Sequence, residues 1–196
     1  MSAADRPALV DFRPVRAGEL ELGELGRGFG PAELAAATRA TMADIRALLA
    51  EAIDHDVTFV PQDPAAEDTF AVDPAEIGLA WTLAHVIVHL TASAEETAFL
   101  AAELARGVEP HGRSRHEVPW PSVTTIVACR QRLAESERMI LATLASWPDE
   151  PDLEVAFTTS KGLRRNAPAR FLGGLMHADE HLGQVARILD QARVSR

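Results

Sequence analysis

WTLAHVIVHLTASAEE, residues 81–96, and HADEHLGQVARIL, residues 177–189, are the two stretches whose spacing decides how this chain folds. Leu83, Val86, Ile87, Leu90 and Ala94 recur at three- and four-residue steps in the first. Ala178, Leu182, Val185 and Leu189 do the same in the second, and this is the period of a helix with one apolar face. Both stretches also carry histidine beside the apolar stripe. His177 and His181 are four residues apart, so a helix stacks their imidazoles on one face within reach of a single ion. His85, His89 and Glu96 share a flank of the earlier helix, as His177, His181, Gln184 and Ile188 share one of the later. Where two such flanks meet, a polar pocket is expected rather than a dry core.

Working outward, each stretch sits in a longer helical pattern, and two more accompany them. The first predicted helix runs from Pro31 to Asp54, with Leu34, Met42, Ile45, Leu48 and Leu49 buried. The second runs from Pro74 to Arg106, with Ile77 and Leu79 joining its stripe and Gly107 as its stop. The third runs from Pro121 to Ser146 through Val123, Ile126, Val127, Leu133, Ile140, Leu141 and Leu144, and Pro148 ends it. The fourth opens at Asn166 as a cap, with Pro168 in its first turn, and continues to Ala192 through Phe171 and Leu175. Four helices of this length form a bundle, and bundles build metal sites from facing helices. The fold class is therefore all-α: a four-helix-bundle domain over 31–196, preceded by an arm over 1–30 lying on it. The connections 55–73, 107–120 and 147–165 are long and contain proline, as segments that cover a site commonly do. Val155–Thr159 reads as a short strand.

His89, His177 and His181 together read as the facial ligand set of one divalent metal. Three protein ligands with open positions describe a reactive site more often than a structural one, which is usually closed by four ligands and rich in cysteine. Cys129 is the chain's one cysteine, set among apolar neighbours as a buried helical thiol, so no intramolecular disulfide forms. A reducing, cytoplasmic setting fits that usage.

The quoted stretches resemble the DinB/YfiT-like superfamily of four-helix-bundle metalloproteins. The pattern there is a tryptophan followed eight residues later by histidine, then H-x-x-x-H-x-G-Q on the last helix. Trp81, His89, His177, His181, Gly183 and Gln184 match it, and the resemblance covers Pro31 to Ala192. It implies a metal held by His89, His177 and His181, zinc or nickel foremost, with manganese or iron as other divalent choices. It also implies chemistry: branches of this superfamily transfer low-molecular-weight thiols to electrophiles, and homodimers are common. An open metal position can lower the pKa of a bound thiol. A metal-dependent thiol S-transferase is thus the leading expectation, with a small-molecule electrophile or thiol as partner. A metal-dependent hydrolase is the first alternative, and a non-catalytic metal-binding stress-response or scaffold bundle the second.

Around the triad, His85 stands one turn before His89 and can be a fourth ligand, a hydrogen-bond partner of a ligand or a pocket wall. Trp81 reads as a core anchor below the site. Gln184 and Glu180 are placed to orient imidazoles. Glu96 lies two turns past His89 and Glu180 directly before His181, and neither reads as an evident general base for hydrolysis. Arg164, Arg165 and Arg170, after Lys161, can bind an anionic small molecule or act as charges flanking a helix. His111 and His116 belong to a polar loop, and His55 favours the negative end of the first helix.

The net charge of −10 argues against duplex nucleic acid as a partner, because phosphate binding needs excess Lys and Arg on one surface. No apolar run reaches the roughly 18 to 20 residues of a membrane span, and MSAADRPALVDFRP lacks the form of a signal peptide.

Overall fold

A computed structural model describes residues 10–68 and 74–196. The first nine residues of the expected arm and the end of the 55–73 connection lie outside the described residues. The described chain is mainly helical. Two short helices, α1 (Arg13–Arg16) and α2 (Leu22–Leu25), precede α3 (Pro31–Leu48), α4 (Asp54–Thr58), α5 (Leu83–Ala105), α6 (Ile126–Ala145) and α7 (Ala167–Val194). Strands β1 (Phe157–Thr158) and β2 (Arg164–Arg165) form an antiparallel hairpin with Phe157 opposite Arg165, turned at Gly162. The predicted strand is thus present, but only two residues long.

The long helices α3, α5, α6 and α7 form the bundle, with α5 at its centre, packed most extensively on α7 and next on α6. Thr97 of α5 lies against Gly174 of α7, and His89 lies against His177. The two helices therefore run antiparallel. Gly174 allows the close approach: a Cβ there would come within 2.9 Å of the Thr97 Cβ. The core is built from Leu34, Met42 and Ile45 of α3, Leu83, Ile87 and Leu90 of α5, Leu133 and Ile140 of α6, and Phe171, Leu172 and Leu175 of α7. No helix among the described residues is long and apolar enough to cross a membrane.

Three helix ends differ from the sequence reading, each for a local reason. The first predicted helix stops at Leu48 rather than Asp54, and the chain begins α4 instead. Asp54 and Asp56 at the end of a helix would face its negative pole. In the first turn of α4 they face the positive pole, and Asp56 Oδ2 accepts the Ile53 N–H at 2.9 Å. The second helix starts at Leu83, not Pro74, because Thr82 caps it by accepting the His85 N–H on Oγ1. Pro74–Glu76 is a separate 3₁₀ turn, Trp81 stands just ahead of the helix, and Ile77 is exposed. The third starts at Ile126, where Thr125 Oγ1 accepts the Ala128 N–H and Asp54 Oδ1 the Ile126 N–H, and Val127 faces outward. Asn166 caps α7 as read, accepting from the Ala169 N–H, and Gly107 follows α5 with a φ of 76° that few other residues adopt.

Ahead of the bundle, Phe12 and Leu22 are buried in the same core as the long helices. Arg16 pairs with Asp179 of α7 at 2.7 Å, so this segment is clasped to the helix that carries the histidine pair.

Candidate metal centre

His89 projects from α5 toward His177 and His181 on α7, and the ligand atoms of the three lie within 4.8 Å of one another. His89 Nε2 is 3.0 Å from His177 Nε2. The rings of His89 and His181 meet edge to face at 5.2 Å, and those of His177 and His181 at 4.7 Å. All three are half-buried at the floor of an open cavity of about 1070 Å³.

Outer hydrogen bonds decide which nitrogen of two of the rings faces the meeting point. His89 Nδ1 lies 2.8 Å from a carboxylate oxygen of Glu117, which can only accept, so Nδ1 carries the proton and Nε2 the lone pair. His181 Nδ1 donates to Gln184 Oε1 at 2.8 Å, with the same effect. Glu180 Oε2 is 3.8 Å from His177 Nδ1, near but beyond hydrogen-bond reach. Burial, then the neighbouring His181 and His89, holds His177 down to about 4, well below the ordinary histidine range. Burial lowers His181 as well, against the opposing effect of the hydrogen bond it donates to Gln184.

This donor set fits a divalent ion. Neutral imidazoles offer lone pairs at a common point, two of them fixed by outer hydrogen bonds, as ligating histidines usually are. Imidazole suits zinc, nickel and iron alike. The cavity leaves the opposite side open to small molecules.

His85 does not join the convergence. It is 6 % exposed and sandwiched between Trp81, at 4.2 Å, and Trp120, at 4.8 Å and nearly parallel, and its buried Nδ1 has no hydrogen-bond partner among the described residues. Burial pushes it down to about 4. Of the readings open to it from sequence, the pocket wall describes its place. Trp81 is half-buried and touches three of the site's imidazoles: His85, His89 at 4.8 Å and His181 at 5.9 Å. It packs directly on the site rather than below it.

The three arginines read as an anion site, two on β2 and Arg170 in the first turn of α7, lie elsewhere. Arg170 is buried with its guanidinium 4.2 Å over the Phe157 ring, Arg164 donates to the Glu154 carbonyl, and Arg165 lines a separate cleft beside α1 and α2. None of the three lines the histidine cavity; its basic wall is Arg113 and Arg115. Glu96 does line it, but as a held group. Its carboxylate takes the Arg113 guanidinium at 2.6 Å and the backbone N–H groups of Ser114 and Arg115. Burial opposes that charge, yet Arg113 and the two N–H groups outweigh it and keep Glu96 below its usual range. His111 and His116 are exposed, and His111 pairs with Glu103. Sequence reading did not find Glu117, Trp120 or Arg113. They lie in the 107–120 connection, where no periodicity says which side chain turns inward; the only signal was the length of that segment beside the site.

A family model described as the DinB superfamily matches residues 37–185. Comparison with curated proteins and with solved structures returns no match. The family match spans most of the chain and includes all three converging histidines, and the helical architecture agrees with it. The chain belongs to the DinB superfamily.

Proposed function

We propose that this chain is a metal-dependent enzyme that joins a low-molecular-weight thiol to a small electrophile, with one divalent ion held by His89, His177 and His181. The observation that carries this reading is the convergence of three imidazoles, their ligand atoms within 4.8 Å, beneath an open cavity. When bound, such an ion would supply Lewis acidity that lowers the pKa of a thiol or water on its open side. The chain's own thiol is unsuited to the work. Cys129 is buried in the core, and burial, aided by the nearby Asp54 carboxylate, pushes it up to about 12. A thiol nucleophile therefore has to enter with the substrates.

The surrounding residues divide the remaining tasks. Glu117 and Gln184 hold His89 and His181 by their outer nitrogens. Trp81, Trp120 and Pro119 give the cavity an apolar wall, and Arg113, paired with Glu96, and Arg115 a basic one. Hydrolysis has less support: Glu117 is engaged with His89 and Glu96 with the loop, while Glu180 stands by the Nδ1 of His177 and does not line the cavity.

The test begins with elemental analysis of tag-free protein beside the triple His→Ala variant. About one ion per chain, absent from the variant, is expected. The loaded protein is then given thiols and electrophiles. Metal-dependent conjugate formation supports the reading. Ester or amide cleavage without thiol would replace it with hydrolysis, and a tightly held ion indifferent to thiols would replace it with a non-catalytic metal bundle.

A further inference from the structure

Residues 111–120 run along α5 in the opposite direction to it, tied to a single stripe of that helix. The stripe is His85, His89, Glu96 and Glu103, whose steps of four, seven and seven residues keep the side chains within about 40° of one another. Their partners come in reverse chain order. Glu103 takes His111 at 2.6 Å. Glu96 takes Arg113 with the N–H groups of Ser114 and Arg115, and His89 takes Glu117. His85 takes the ring of Trp120. Arg115 has a φ of 54°, in the left-handed region that a residue with a Cβ occupies only when its surroundings hold it there. Ser114 and Arg115 aim two successive N–H groups at the Glu96 carboxylate, an anion-holding arrangement.

Two of these four ties end on the triad. Glu117 reaches His89 directly. Trp120 reaches His181 through a series of stacked rings: Trp120 on His85 at 4.8 Å, His85 on Trp81 at 4.2 Å, and Trp81 on His181 at 5.9 Å. If the segment lifts, one imidazole loses the acceptor that orients it and another loses the support behind its stack. The third, His177, meets these ties through His89, 3.0 Å away.

We propose that Glu117 and Trp120 are positioning residues for the triad, so that closure of the 111–120 strap over α5 and binding of a cation at the triad are one linked equilibrium. This rests on the triad holding a cation. A cation that binds more tightly with the strap closed must also hold the strap closed, by the same factor.

Two experiments on the full-length protein test it. The first measures cobalt(II) affinity by chelator competition, following the cobalt visible spectrum. Glu117→Ala and Trp120→Ala are expected to bind about ten- to a hundredfold more weakly, with unchanged helical content. Glu117→Gln, whose amide oxygen still accepts the Nδ1 proton, and Trp120→Phe, which keeps a ring in the stack, are expected to retain most of the affinity and the wild-type spectrum. The second is limited trypsin digestion at Arg113 and Arg115, both on the strap. Saturating zinc is expected to slow these cuts in wild type by about tenfold, but not in the triple His→Ala variant, whose behaviour also controls for zinc acting on the protease. Wild-type affinity in both alanine variants, equal loss in Glu117→Gln and Glu117→Ala, or strap cleavage indifferent to zinc would each overturn the proposal while leaving the metal site in place. Failure of the wild-type protein to bind cobalt at all would overturn the metal reading and this inference with it.

Discussion

His181 gives its Nδ1 proton to Gln184 Oε1, one turn further along α7, at 2.8 Å, and this bond leaves the Nε2 lone pair facing His89 and His177. The same helical spacing that sets two histidines on one face also sets the residue that turns one of them. His89 has its counterpart in Glu117, which comes from a loop instead.

Gln184→Leu should therefore weaken metal binding without disturbing the bundle. The leucine fills similar space but cannot accept a proton, so the imidazole is free to rotate or change tautomer. A loss of about ten- to a hundredfold in zinc affinity is expected by chelator competition, with a circular dichroism spectrum matching wild type. Undiminished affinity would show that the hydrogen bond does no orienting.

Metal-free protein should lose stability as pH falls from about 6.5 toward 4. His85 and His177 are both held down to about 4 in the folded chain, mainly by burial. Between that value and the ordinary histidine pKa of about 6.5 the unfolded chain binds protons that the folded chain refuses, so acid favours unfolding; below both values the penalty levels off. His177 has 37 % of its side chain exposed, so solvent screens its share and the 6 %-exposed His85 carries more. For His85 the gap amounts to at most about 3 kcal/mol, softened because an imidazolium between two indole faces is attracted to both. Urea unfolding across this pH range should show a shallower slope for His85→Phe, and an unchanged slope would overturn the assignment.

The two glycines at the ends of α7's site-bearing face should respond oppositely to alanine. At Gly174 the new methyl would meet the Thr97 side chain of α5 at 2.9 Å. Gly174→Ala is expected to destabilise by about 1–3 kcal/mol. At Gly183 the nearest atom is Arg187 Nη1 at 3.5 Å, the end of a flexible side chain. Gly183→Ala should then gain about 0.5–1 kcal/mol from helix propensity. Thermal unfolding of the two variants beside wild type reads both signs at once.

Cys129 should be silent toward thiol reagents in the native protein. With the thiol buried and its pKa near 12, almost no thiolate forms at neutral pH. A colorimetric disulfide reagent should titrate no thiol under native conditions and one per chain in denaturant. Rapid native reaction would reopen Cys129 as a nucleophile.

The sequence by itself determined the helices and most of the triad. Periodicity placed the buried faces of α3, α5, α6 and α7, since Leu34, Leu90, Leu133 and Leu175 fall on stripes that only a helix makes continuous. A four-residue step on one helix brings His177 and His181 together whatever the rest of the chain does. Helix starts were legible where a cap stands beside proline, as at Asn166, and were misread at Pro74 and Pro121, where Thr82 and Thr125 further on do the capping. Tertiary structure alone decided what the 107–120 segment contributes around the triad. The 107–120 segment has no repeating geometry, so nothing local says that Glu117 meets His89, that Trp120 stacks on His85, or that Glu96 is gripped by the Ser114 and Arg115 backbone. Those contacts exist because α5 offers one polar stripe at its surface and the loop leaving its end folds back along it.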